Sequence, residues 1–126
     1  MFGRSKKKSS RPPEGPDFSD VDSLKQAAAM YRKGKLERMH LIPLEFGGPD
    51  NEDNVVYVPL GLTDVKRGID LNVIGPLVQA GKVTEYKAEP EYEGESFVPI
   101  AIKITAWEPG KFTTTINIWG EALERE

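Results

Sequence analysis

From Val98 to Ala106 the chain alternates with a period of two. Val98, Ile100, Ile102, Ile104 and Ala106 interleave with Pro99, Ala101, Lys103 and Thr105. Successive strand side chains point to opposite faces, so this pattern predicts a strand with one buried face. Glu108-Pro109-Gly110-Lys111 is turn chemistry. It leads into Phe112 to Trp119, where Phe112, Thr114, Ile116 and Ile118 share a face. Val83 to Tyr92 predicts another strand with acidic outer positions. The run Glu85, Glu89, Glu91, Glu93 and Glu95 fits a solvated face that discourages edge pairing. The last third of the chain therefore predicts an antiparallel sheet.

Earlier in the chain the period changes. Val21, Leu24, Ala28 and Tyr31 fall at helical spacing, with Asp20 or Asp22 placed to cap and Gly34 to stop the helix after about Lys33. Leu36 to Ile42 predicts a strand, Phe46 to Asn54 a polar loop, and Val55 to Pro59 a second strand. Thr63 is placed to cap a helical stretch toward Gly81, which Gly75-Pro76 must kink or split. The expectation is one α+β domain over residues 20–126. Residues 1–19, rich in Lys, Ser, Pro and Gly, are expected to form a disordered basic arm.

Charge sharpens this division. Arg4, Lys6, Lys7, Lys8 and Arg11 give the first eleven residues +5 with no acid. Residues 12–126 hold 12 basic against 20 acidic residues, a net of −8. An acidic body argues against broad, non-specific affinity for nucleic acid, which rests on neutralising phosphates. No apolar run approaches the roughly 20 residues that span a bilayer. The basic N-terminus is not followed by the apolar segment of a secretory signal.

The chain has no cysteine and one histidine, His40, so metal sites built from several Cys or His ligands are excluded. His40 ends the first predicted strand. A neutral imidazole can take a proton from water near pH 7. Arg38 lies two residues earlier, on the same strand face, and suits a phosphate clamp. Trp107 and Trp119 bracket the last hairpin as packing residues, and Phe46-Gly47-Gly48 predicts a turn anchored by a buried phenylalanine. Glu37 and Glu45 flank His40 without forming a carboxylate pair.

Arg38-Met39-His40-Leu41-Ile42, Phe46-Gly47-Gly48-Pro49, Asn54-Val55-Val56 and Val58-Pro59, followed by Arg67-Gly68 and Glu91-Tyr92-Glu93-Gly94, form an ordered set. In that order and spacing the chain resembles the DNA/RNA non-specific endonucleases, over about residues 35–119. It is most similar to the nuclease domains at the C-termini of bacterial polymorphic toxins. The resemblance implies a ββα-metal core and Mg²⁺- or Mn²⁺-dependent hydrolysis of DNA or RNA. His40 would be the general base beside Arg38, Asn54 and Asn72 would hold the metal or its waters, and Lys66 and Arg67 would contact phosphate. It also implies a toxin or effector role, an immunity-type protein partner, and a location in the cytoplasm or outside the cell after export.

Three positions depart from the family pattern. Met39 stands where the family has glycine, Lys66 where it has a metal-binding asparagine, and Ile74 where it has a supporting glutamate. Asp70 and Asn72 lie close enough to substitute if the register shifts. Two readings follow: an active metal-dependent nuclease, or a catalytically inactive nuclease-like module that binds protein or nucleic acid.

Overall fold

The computed structural model describes residues 15–125. Helix α1 spans Leu24–Arg32. Ser23 caps it, accepting the Gln26 amide at 3.1 Å, while Gln26 Oε1 accepts the Asp22 amide at 2.8 Å. This reciprocal bonding settles the start on Ser23 rather than on Asp20 or Asp22. Ala27 faces the core, whereas Leu24 and Tyr31 are exposed. Of the face expected to be buried, Val21 and Ala28, with Ala27 beside them, pack against the core, while Leu24 and Tyr31 do not.

Strands β1 (Leu36–His40) and β2 (Val55–Pro59) form an antiparallel pair, from Leu36 opposite Pro59 to His40 opposite Val55. Helix α2 (Leu62–Ile69) follows and packs on both strands. A π-helical turn, Asp70–Ile74, joins it directly to α3, Gly75–Gln79. Gly75-Pro76 therefore does not split the helix. Pro76 lies in the first turn of α3, where its missing N–H costs little, and the wider preceding turn absorbs the distortion.

Strands β3 (Glu85–Glu91), β4 (Ala101–Trp107) and β5 (Lys111–Asn117) form a separate antiparallel sheet in the order β3-β4-β5. The class is α+β, as the two periodicities predict. Ile102, Ile104 and Ala106 are fully buried on the predicted face of β4. Ala101 and Thr105 are buried too, so β4 is covered on both sides, and Lys103 alone of its outer positions before Trp107 is exposed. As the central strand, β4 is paired along its whole length on both sides: Thr105 stands opposite both Lys87 and Thr113.

Trp119 is completely buried and donates its indole N–H to the Val98 carbonyl at 2.9 Å. Phe18 packs edge-on against it, with ring centroids 5.8 Å apart. The Phe18 carbonyl accepts the Ser96 hydroxyl at 2.8 Å. The packed domain thus begins before residue 20, and the boundary expected at 19/20 moves toward the N-terminus. The arm's basic residues lie outside the described residues. Among the described residues, no helix is long and apolar enough to cross a membrane.

Candidate functional site

Glu37 projects from β1 to the start of α2. Its Oε2 accepts the Gly61 amide at 3.0 Å, the Thr63 amide at 2.8 Å and the Thr63 hydroxyl. Two backbone N–H groups at the helix start, and the Thr63 hydroxyl, are thus satisfied by a carboxylate from another element. Thr63 was expected to cap this helix, but its hydroxyl donates to Glu37. This long-range cap fixes α2 against β1.

Between α2 and the loop after β1 lies a cleft of about 210 Å³, lined in part by Met39, His40, Glu45, Lys66, Arg67 and Asp70. The 41–54 loop forms one wall. Its shape rests on Asn54, whose side-chain carbonyl accepts the Ile42 amide at 2.9 Å. The Asn54 amide donates to the Ile42 and Pro49 carbonyls, each at 2.9 Å. Gly48 adds a steric condition: a Cβ there would stand 2.1 Å from the Ile42 carbonyl oxygen. Only glycine allows the loop to close so tightly. Phe46 is half-buried, edge-on to Tyr86 at 5.4 Å between centroids.

His40 lines the cleft, and its Nε2 lies 3.0 Å from Asp50 Oδ1 on the loop. An ionised carboxylate only accepts. A neutral His40 bonded to it therefore carries its proton on Nε2, and Nδ1 is the basic nitrogen. Arg38 does not join His40 in the cleft. Its guanidinium bonds Glu52 at 3.1 Å and lies over the Tyr31 ring at 5.9 Å.

Lys66 is the largest departure from expectation. Its side chain is 3% exposed, and its ammonium donates to Asp70 Oδ2 at 2.6 Å and to the Tyr86 hydroxyl at 2.9 Å. Tyr86 in turn donates to Asp70 Oδ1 at 2.8 Å. Burial lowers the Lys66 pKa, opposed by its bond to Asp70. Burial, reinforced by Asp70, raises the Tyr86 pKa far above its ordinary value. Lys66 is thus bound into an internal network at the cleft floor instead of being presented to a phosphate. Arg67 stays at the surface, 3.3 Å from Glu45.

The donors that the resemblance assigns to Mg²⁺ or Mn²⁺ do not converge. Asn54 is buried with its amide bonded to backbone, so it braces the loop. Asn72 is exposed on the π-helical turn and does not line the cleft. Ile74 is fully buried in the core. Among the described residues, no group of three His, Cys, Asp or Glu side chains is placed to hold a metal ion. The residues present do not fit a divalent cation, and the nearest charge at the floor is an ammonium.

Sequence reasoning missed the roles of Asp50, Tyr86 and Glu37. The Lys66–Asp70 pair had a local signal, since residues four apart on a helix are neighbours. Asp50 sits in the expected Pro-Asp-Asn turn, ten residues from His40. The Tyr86 and Glu37 contacts join elements 16 to 26 residues apart and leave no local trace. Comparison of the chain with protein-family models, curated proteins and solved structures finds no match.

Proposed function

We propose that this domain is a catalytically inactive, nuclease-like binding module whose cleft engages a basic segment of a protein partner. The order strand, loop, strand, helix supports the nuclease-like part of the reading. The buried Lys66–Asp70 pair carries the inactive part. A cation fixed at the floor by its own carboxylate opposes a divalent ion there, and without such an ion little remains to stabilise charge on a cleaved phosphate.

Charge indicates the partner. The permanent cations lining the cleft are Lys66 and Arg67, and the carboxylates are Glu45, Asp64 and Asp70. Both cations are paired, and Asp50 adds a further carboxylate beside His40. A cleft with excess negative charge on an acidic body disfavours a polyanion and favours lysine or arginine side chains.

A second reading is favoured by one observation. His40, held by Asp50 at the cleft wall, retains the form of a general base for phosphodiester hydrolysis. A single assay separates the two. Purified protein is incubated with supercoiled plasmid and with single-stranded RNA, in Mg²⁺, in Mn²⁺ and in EDTA, beside His40→Ala. No cleavage by folded protein is expected. Metal-dependent cutting that disappears in His40→Ala would overturn the proposal and restore the nuclease.

A further inference from the structure

The two edges of the three-stranded sheet are built differently. Strand β3 forms one edge. It contains Pro90, which has no N–H to offer a neighbour, and carries Glu85, Lys87, Glu89 and Glu91 on alternate positions. Proline and charge on an edge strand discourage pairing with another chain. Strand β5 forms the other edge. Its sequence is Lys111-Phe112-Thr113-Thr114-Thr115-Ile116-Asn117, with no proline, glycine or acid and with its single charge at the first residue. Phe112, the three threonines and Ile116 are strong strand formers.

We propose that β5 is a dimerisation edge, pairing antiparallel with β5 of a second copy about a two-fold axis at Thr114. The sequence complements itself in this register. Phe112 faces Ile116 of the second copy, an apolar cross-strand pair on the core side. Thr113 faces Thr115 on the outer side. Lys111 faces Asn117, so no like charges oppose each other.

Asn117 gives independent support. Its Oδ1 is the one side-chain polar atom among the described residues that is buried without a hydrogen-bond partner. A buried orphan acceptor carries a desolvation penalty. In the proposed register Lys111 of the second copy stands opposite Asn117 and brings a donor to that position. The protected β3 edge cannot continue the assembly. The pairing therefore closes as an isologous dimer with a six-stranded sheet, and no open filament forms.

A single strand pair buries less than a standard stable interface, so dissociation in the micromolar range is expected. Sedimentation velocity of the full 126-residue chain across that range tests the proposal, with two double variants beside the wild type. Thr113 and Thr115 are exposed in the single chain, so charges there are compatible with folding, which circular dichroism checks. Thr113→Lys with Thr115→Lys opposes like charges twice across the axis and should raise the dissociation constant tenfold or more, an estimate of about that size following from two unfavourable cross-strand pairs. Thr113→Lys with Thr115→Glu places opposite charges at both contacts and should restore the dimer. A wild-type chain that stays monomeric throughout overturns the proposal and leaves β5 a solvated edge. A dimer indifferent to the double-lysine change, or lost equally in both variants, also overturns it.

Discussion

Removing one member of the Lys66–Asp70 pair should cost far more than removing both. In Asp70→Leu the Lys66 ammonium stays in a site where the side chain is 3% exposed, with only the Tyr86 hydroxyl oxygen to accept from it. In Lys66→Met the Asp70 carboxylate keeps only the Tyr86 hydroxyl as a donor. Breaking a buried pair from one side typically costs about 3–5 kcal/mol, because the remaining charge is buried without compensation. A domain of this size has roughly 5–15 kcal/mol in total, so each single variant should lose a large fraction of its stability. The melting temperature should fall on the order of 10 °C or more. Lys66→Met with Asp70→Leu removes both charges and fills similar volume, so it should lie within about 2 kcal/mol of the wild type. Urea unfolding of the four proteins at pH 7 gives the coupling directly. Single variants that each cost less than about 1 kcal/mol, or costs that simply add, would refute the buried pair. They would mean that Lys66 is solvated and available to a ligand, which would also weaken the inactive reading of the cleft.

Asn54→Ala strips three hydrogen bonds from the 41–54 loop and should cost about 2–3 kcal/mol, with faster hydrogen exchange at the Ile42 amide. Tyr86→Phe should destabilise the domain by about 1–3 kcal/mol at pH 7. The folded-state pKa of Tyr86 is raised, so its protonated form is favoured by folding; that contribution is complete below about pH 10 and is lost as pH rises beyond it. The stability gap between wild type and Tyr86→Phe should therefore narrow in unfolding titrations above pH 10, and a gap that widens there would contradict the network. Glu45→Gln, Asp50→Asn and Glu52→Gln together should change stability by less than about 2 kcal/mol, because exposed ion pairs contribute little. The triple variant should gain salt-sensitive binding to single-stranded RNA, read by fluorescence anisotropy, since it frees Arg67 and Arg38 and removes three negative charges.

The sheet and the β1–loop–β2 segment were legible because both follow local rules. The period of two marks β4 from Ala101 onward, although its first positions, Val98 to Ile100, precede the strand, and Gly47-Gly48 with Pro49 mark the tight loop. What failed did so where another element intervenes. Asp20 and Asp22 were reasonable caps in isolation, but Ser23 wins through its reciprocal contact with Gln26. Thr63 has the right chemistry to start α2, yet the cap comes from Glu37 on a strand 26 residues earlier. Asn54 has the oxygen a metal needs. Only the folded loop shows that this oxygen is bound to the Ile42 amide. Lys66 stands out in the sequence only as a departure from the family's asparagine; its burial against Tyr86 depends on β3 and leaves no local trace.

These long-range contacts separate what shapes the cleft from what charges it. Asn54 and Gly48 determine the loop through backbone bonding and steric fit, which carry the larger energies. Glu45, Asp50 and Glu52 decorate that loop and reach Arg67, His40 and Arg38 through exposed contacts of small net strength. The wall can therefore keep its form while its charge changes. The floor has no such freedom: Lys66, Asp70 and Tyr86 bind one another out of water, and altering one leaves each of the other two a partner short. A ligand entering the cleft can displace the wall's ion pairs at little cost, but it meets a floor whose cation is already committed. On the function proposed above, recognition would be directed to the carboxylates of the wall, where a basic partner gains contacts that a phosphate cannot.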